Sequence, residues 1–526
     1  MSGRVGRRSF LQAAGALGLA ALPNWRALAA PPQGTSTTVS TTNGRVRSVQ
    51  IDRVHAFKRI PYGASTGGAR RFLPPLAPEP WTGVREAFEF GPRSPQARSV
   101  FVPEWMPLTG TEPMSEDCLH LNVWTPGTSP GRRPVMVWLH GGGYTGGSPA
   151  AKPYDGANLA RSQDVVVVSI THRLNAFGFL YLAELGGDRY REASNVGLKD
   201  IIAGLYWVRD NIARFGGDPA NVTIFGQSGG AGKVSTLMGM PAARGIFHRA
   251  AAQSGSAVNS MRAAVATENA EKFLARVGIR PAALDGVATV PTEQLIAALQ
   301  GFATSPVVDG TSLPHDVFDP TATAISASVP LLIGSTETEV TWSVNADHTP
   351  IADDAALRAR VKRALRSDDD AADQVIATYK AGRPHASRLD LAFIIETDVS
   401  GFRTGTNLQA ERKAVPGQAP VYVYRFGWYS PVSDGRLRAM HCMDIPFVFD
   451  NLENSQSITG NGADRRPLAD AMSGAWAAFA RSGDPNHKGL PRWEPFTAAQ
   501  RNTMMFAKES RAAVDPFGAE RLAVAR

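Results

Sequence analysis

Residues 221–230 read Asn221-Val222-Thr223-Ile224-Phe225-Gly226-Gln227-Ser228-Gly229-Gly230, and they decide the fold. The run 222–225 is short, β-branched and aromatic, the composition of a strand buried on both faces of a sheet. Residues 232–240 continue as a helix. A serine on the sharp bend between strand and helix stands exposed, within reach of a base, and glycines around it keep side chains out of the bend. The pattern Gly-x-Ser-x-Gly occurs twice more, at 63–67 and 127–131. Gly, Thr and Pro surround both copies and mark ordinary loops, so Ser65 and Ser129 are set aside. The stretch also runs into Gly232-Lys233, yet a phosphate-binding loop needs glycine at 227 and a hydroxyl at 234, where this chain has Gln and Val. The register excludes a nucleotide loop and leaves Ser228 as the candidate nucleophile.

Working outward, residues 135–139, 165–170 and 329–333 are further apolar runs bounded by turn residues. Residues 195–215 between them have helical periodicity. Such alternation predicts the α/β class, a parallel sheet covered by helices on both faces. A late packing helix is predicted over 467–482, with Pro467 in its first turn and Gly483-Asp484-Pro485 as its stop. Residues 256–300 and 350–418 are Ala-, Arg- and Asp-rich, show no strand runs, and read as helical insertions over one end of the sheet. Neither an internal repeat nor a linker appears after residue 44. The strand at 135–139 opens into His140-Gly141-Gly142-Gly143-Tyr144, where backbone N–H groups are left unshielded. Preorganised donors of this kind stabilise the oxyanion of acyl transfer by about 3 to 4 kcal/mol each. Gly142, Gly143 and Gly229 are the candidate donors.

Composition narrows the function classes. The chain has 526 residues, 43% hydrophobic and 19% charged, with 2 Cys, which excludes a disordered chain and a disulfide scaffold. The net charge is +8, and half of it comes from Arg4, Arg7, Arg8 and Arg26 in an acid-free N-terminus. No basic cluster with interleaved aromatics supports nucleic-acid binding, and no apolar run reaches the roughly 18 residues of a membrane span. Arg7-Arg8-Ser9-Phe10-Leu11, the apolar stretch 13–22 and Ala27-Leu28-Ala29 resemble a twin-arginine export signal. We therefore expect a signal peptide over 1–30, one domain over 31–526, the twin-arginine export machinery as a partner, and a periplasmic or secreted protein. No Cys follows the signal to carry a lipid anchor. No HExxH or CxxC spacing supports a catalytic metal.

With these motifs in place the chain resembles the type B carboxylesterases of the α/β-hydrolase fold, relatives of cholinesterases and para-nitrobenzyl esterases. The resemblance runs nearly end to end. It rests on Ile60-Pro61-Tyr62 with Arg71-Phe72, Ser115-Glu116-Asp117-Cys118-Leu119 running to Asn122, and Phe215-Gly216-Gly217-Asp218-Pro219. Gln253-Ser254-Gly255-Ser256 and Asp444-Ile445-Pro446-Phe447 complete it. It implies a large, mostly parallel sheet with helical insertions over the active site, a Ser-Glu-His triad in that chain order, and no cofactor. The family's acid follows a strand in a short GxNxxE-like loop. In Gly334-Ser335-Thr336-Glu337-Thr338-Glu339-Val340 position selects Glu339, but Thr336 replaces the usual Asn and Val340 the usual Gly, so Glu337 stays as the alternative.

Four histidines follow that loop. His348 and His385 sit in the polar insertion and His487 follows a helix stop, whereas His441 precedes Asp444-Ile445-Pro446-Phe447 and resembles the family's histidine loop. The acid's physical role is to fix the imidazole tautomer and stabilise its charge. By the same resemblance Asp444 positions the loop and Ser254 is a hydrogen-bonding residue behind the site. Tyr144 and Trp342 are expected to line it. Cys118 stands where relatives often carry a disulfide, but Ser94 replaces its partner, so Cys118 and Cys442 are expected as free thiols. The implied activity is hydrolysis of small or medium carboxylic esters, and the Gly-Gly-Gly loop is associated in the family with bulky alcohols. Two other readings are a noncatalytic binding or adhesion protein on the same scaffold, whose relatives lose the serine, and amide or thioester hydrolysis by the same triad.

Overall fold

The structure, a computed structural model, describes residues 35–129 and 131–525; the expected signal peptide therefore lies outside the described residues. The central sheet has eleven strands: β1 (Val49–Ile51), β2 (Val54–Pro61), β3 (His120–Thr125), β4 (Arg133–Leu139), β5 (Val166–Ile170), β6 (Gly217–Gln227), β7 (Arg249–Gln253), β8 (Leu331–Thr336), β9 (Val421–Phe426), β10 (Asn502–Phe506) and β11 (Arg511–Val514). Their spatial order is β11-β10-β9-β8-β7-β6-β4-β5-β3-β2-β1. The strands from β10 to β5 pair in parallel, and antiparallel strands finish both edges. The four apolar runs read from sequence fall in β4, β5, β6 and β8. β6 extends five residues upstream of its apolar run because Gly217 still pairs with Arg133 of β4 across a bulge.

Alternate residues of the parallel strands feed two cores. Val135, Val137, Leu139, Val166, Val168 and Ile224 point to one face, where α1 (Val196–Asn211) contributes Leu198, Ile201, Leu205 and Val208. Met136, Trp138, Val167 and Phe225 point to the other. There they meet Leu468, Met472, Trp476 and Phe479 of the late helix, which spans Arg465–Ser482. This period-2 division between two apolar layers is why these strands read as continuous hydrophobic runs.

Ser228 opens α2 (Gly229–Leu237). The insertion over 350–418 is four helices, α3 (Asp354–Leu365), α4 (Asp369–Gly382), α5 (Arg388–Val399) and α6 (Phe402–Lys413). Its aspartates start helices: Asp353 accepts from Ala356 N–H at 2.8 Å and Asp368 from Ala371 N–H at 2.9 Å. α3, α4 and α5 share a core of their own around Val361, Ile376, Tyr379 and Ile395, while α6 packs on β8. The 256–300 segment carries helices over Ala263–Arg276, Pro281–Thr289 and Thr292–Ala297 joined by turns, and a two-residue strand, Met261–Arg262, that pairs with Val307–Val308. No strand was expected there, because two residues leave no periodicity to read.

One buried ion pair ties α1 to the loop after β5. Arg173 donates to both carboxylate oxygens of Asp200, at 2.8 and 2.6 Å, and to the carbonyl of Leu73 at 2.8 Å. The two side chains are 2% and 0% exposed, so removing one partner strands the other charge away from water. Asp200→Ala is expected to destabilise the fold by about 3 to 5 kcal/mol, measured as a shift in the urea midpoint. A loss below about 1 kcal/mol would mean that water reaches the guanidinium.

Candidate functional site

Ser228 sits at φ 58° and ψ −125°, in the half of the map that side chains avoid; strain of this kind costs on the order of 1–3 kcal/mol and persists only where the surroundings enforce it. Here they do. Ser228 N–H donates to the carbonyl of Gln253 at 2.7 Å, extending the pairing of β6 with β7. Its own carbonyl accepts from Gly232 N–H at 3.0 Å as the first turn of α2. A Cβ at Gly229 would lie 2.0 Å from the carbonyl oxygen of Gly143, and one at Gly230 would lie 1.9 Å from that of Leu139. The serine bend and the triple-glycine loop thus touch backbone to backbone, which only glycine allows.

In that loop Gly142 and Gly143 have φ 96° and 61° and both are exposed. The carbonyl of Gly142 accepts from Thr145 and Gly146 N–H, whereas the N–H groups of Gly142 and Gly143 enter no turn hydrogen bond among the described residues. Together with the start of α2 they leave donors on the rim where Ser228 stands.

The acid and the histidine meet. His441 Nδ1 lies 2.5 Å from Glu339 Oε2, with the carboxylate fully buried and the imidazole 2% exposed. The other oxygen of Glu339 accepts from Thr336 N–H at 2.7 Å, at the end of β8. A carboxylate on Nδ1 fixes the proton there and leaves Nε2 as the acceptor. Trp342 and Phe402 flank the imidazole, with ring centroids 5.4 and 4.8 Å away.

Glu337 points elsewhere. Its carboxylate pairs with Arg383 at 2.7 Å and Arg425 at 3.1 Å. Burial pushes its carboxyl up, but Arg425 and then Arg383 more than reverse this and hold it below the ordinary value. Asp444 accepts from Tyr424 at 2.6 Å and from the Gln253 side chain at 3.0 Å, which ties the histidine loop to β9 and to the end of β7. Burial pushes its carboxyl up to about 6. Beneath the site Phe225 and Phe449 stack at 5.3 Å between centroids, and Trp138 packs edge-on against both at 4.9 Å. One aromatic cluster therefore holds the strand before the glycine loop, the strand before Ser228 and the segment after His441.

Two expectations need correction. Tyr144 does not line the cavity: its ring packs edge-on against Phe179 at 5.1 Å, its hydroxyl bonds Thr236, and burial pushes its pKa up to about 12. The loop turns at Gly143, so the next side chain points back into the protein. Ser254 is buried, but its hydroxyl has no hydrogen-bond partner among the described residues. What it contributes is a left-handed turn, φ 52°, after β7.

Trp342 does line the cavity, about 510 Å³ in volume, and Ser228, His441, Gly142 and Gly143 open into it with Phe101, Trp105 and Met106. Cys118 and Cys442 are both free, and Ser94 hydrogen-bonds the Cys118 thiol in place of a disulfide.

Sequence reasoning passed over Gln227 and Phe402. The Gln227 amide nitrogen lies 3.1 Å from His441 Nε2, and its amide oxygen accepts from the Cys442 thiol at 3.2 Å. Its place inside Gly-x-Ser-x-Gly was the available signal. Phe402 comes from the insertion, and no local pattern connects it with His441.

The comparisons with known proteins agree with one another. A sequence model of the Carboxylesterase family matches residues 35–524. The para-nitrobenzyl esterase of Bacillus subtilis is 32% identical over 503 residues, 93% of this chain and 98% of that protein. The phenmedipham hydrolase of Pseudarthrobacter oxydans is 34% identical, over 88% of this chain and 94% of its own length. Among solved structures, the carboxylesterase EST55 of Geobacillus stearothermophilus superposes with a TM-score of 0.79 at 37% identity, covering 93% of this chain and all of that one.

Proposed function

The chain belongs to the carboxylesterase family and is a carboxylic ester hydrolase of the α/β-hydrolase fold; from that premise we propose that it works through Ser228, His441 and Glu339 by way of a covalent acyl-enzyme. The observation that supports this reading is the 2.5 Å contact of His441 with buried Glu339, in a cavity that Ser228 also lines.

Attack begins with the Ser228 hydroxyl on the ester carbonyl, its proton passing to His441 Nε2. Glu339 keeps Nδ1 protonated and stabilises the imidazolium as it forms. The carbonyl oxygen becomes negative and is held by the N–H groups of Gly142, Gly143 and Gly229. His441 then returns the proton to the alkoxide, the alcohol leaves, and the same cycle with water frees the acid. For this sequence to start, Gln227 must give up His441 Nε2 to the serine.

The cavity has the size of sites that take drug-sized molecules, about 300–1,000 Å³, and Phe101, Trp105, Met106 and Trp342 give it aromatic and apolar walls. That lining favours small or medium esters with an aromatic or branched group, including those of bulky alcohols. We also read the Arg7-Arg8 segment as an export address for a periplasmic or secreted enzyme; in support, the family match begins only at residue 35. Among the described residues no helix is long and apolar enough to cross a membrane.

The direct test is intact-mass analysis after treatment with a fluorophosphonate, which reacts with an activated serine whatever the natural ester. One adduct, mapped to Ser228, is expected. An adduct elsewhere, or none on folded protein, would move the chemistry away from this residue.

A further inference from the structure

Helix α2 carries a lysine where its pattern asks for an apolar residue. Lys233 is completely buried, between Ala231, Val234 and Leu237 on a helix whose other early positions are small or apolar. Its ammonium donates to the carbonyl of Gly143 at 3.0 Å and to that of His140 at 3.1 Å. Lys233 has no carboxylate partner among the described residues. Around it stand three other titratable groups. His140 and His172 stack with centroids 4.8 Å apart, and the Tyr144 ring lies with its centroid 5.6 Å from Nζ. Burial first, then the nearby Lys233 charge, pushes both histidines well below their ordinary range, so they remain neutral and offer no compensation.

An ammonium without a counter-ion is costly inside a protein, and the hydrogen bonds of this one go to the glycine loop, beside the Tyr144 ring. The two carbonyls it binds bracket the peptide units whose N–H groups face the cavity. Inside the loop His140 Nδ1 lies 2.9 Å from the Gly141 carbonyl, and the Gly142 carbonyl accepts from Thr145 and Gly146 N–H, so the loop turns on itself around glycines that have no Cβ to brace it against α2. Lys233 fixes the peptide units on either side of this stretch and so anchors the whole turn to α2.

We propose that Lys233 is a positioning residue of the oxyanion site, its ammonium clasping the carbonyls of His140 and Gly143 so that the N–H groups of Gly142 and Gly143 stay aimed at the substrate oxygen. The clasp also sets a positive charge one peptide away from the place where negative charge develops, an arrangement that lowers the barrier without tightening ground-state binding. Burial brings the Lys233 pKa down to about 7. Tyr144 takes its place here, as part of the wall that covers the ammonium. The inference rests on the Ser228 mechanism above.

The experiment uses the full chain with Lys233→Met, which keeps the shape without the donors, and Lys233→Gln, which keeps one donor group. Steady-state hydrolysis of para-nitrophenyl butyrate is compared with inhibition by an alkyl trifluoromethyl ketone, whose adduct with the serine carries an oxyanion. For Lys233→Met kcat is expected to fall roughly 10- to 100-fold, below the loss typical of deleting a donor outright. KM should stay within about twofold, and affinity for the ketone should fall by the same factor as kcat. Lys233→Gln should lie in between. A change of kcat under about twofold in a variant with wild-type circular dichroism overturns the inference, as does a loss of kcat that leaves ketone affinity intact. If Lys233→Met does not fold, the same comparison on Lys233→Gln decides. Failure of the wild type to form the fluorophosphonate adduct would defeat the underlying mechanism; an adduct on wild type with unaffected Lys233 variants would defeat only this inference.

Discussion

Ser228→Ala is expected to lower ester turnover by about six orders of magnitude, the scale on which losing the nucleophile of a serine triad acts. Neither the neighbouring thiol nor the serine behind the bend can substitute. The Cys442 thiol opens into the same cavity, but burial pushes it well above its ordinary range and it is engaged with the Gln227 amide. Ser254 is fully buried behind the bend. The variant should fold normally, because alanine at φ 58° carries about the strain that serine already carries and the two backbone hydrogen bonds of residue 228 remain. Turnover of para-nitrophenyl butyrate and circular dichroism on one preparation check both halves. Turnover within tenfold of wild type would require a different nucleophile.

The second large effect separates two glutamates that lie two residues apart. Glu339→Gln is expected to reduce kcat by about 10⁴-fold, since an amide can present its NH₂ to Nδ1 and so favour the wrong imidazole tautomer. Glu337→Gln is expected to leave kcat within a few-fold of wild type. Its cost falls on stability, because Arg383 and Arg425 are 10% exposed or less and lose an ionised partner. The pair is informative as a contrast. Measured side by side, kcat should follow position 339 and the urea midpoint position 337. If kcat tracked position 337 instead, the imidazole would have to reorient in solution toward the arginine cluster.

That contrast also marks how far the sequence could be read. Ser228, the glycine loop and the strands that carry them were legible because each is a local pattern: a backbone bend that only small residues permit, or an apolar run between turns. Glu339 was legible only as one of two, since Thr336 and Val340 replace the landmarks of its loop. The distinction depends on which carboxylate the turn after β8 swings toward His441, and the arginines that claim Glu337 come from β9 and the segment after α4. Tyr144 was misjudged for the opposite reason. Adjacency to a functional loop says nothing about side-chain direction, and in this loop the positive φ of Gly143 reverses it. Lys233 was visible as a failed phosphate motif, and the informative oddity was a charged residue among the apolar ones of α2. Its partners are carbonyls, which no sequence pattern displays.

The order of the sheet has a consequence for biosynthesis. Moving from β6 through β7 and β8 to β9, the strands lie side by side in the order in which a ribosome delivers them. On the mechanism proposed here, Ser228 emerges on the first, Glu339 follows the third and His441 comes after the fourth. A nascent chain therefore holds its nucleophile long before its base. It cannot cleave esters until most of its length has been translated, and β10 and the edge strand β11, the last of the sheet, arrive only after that.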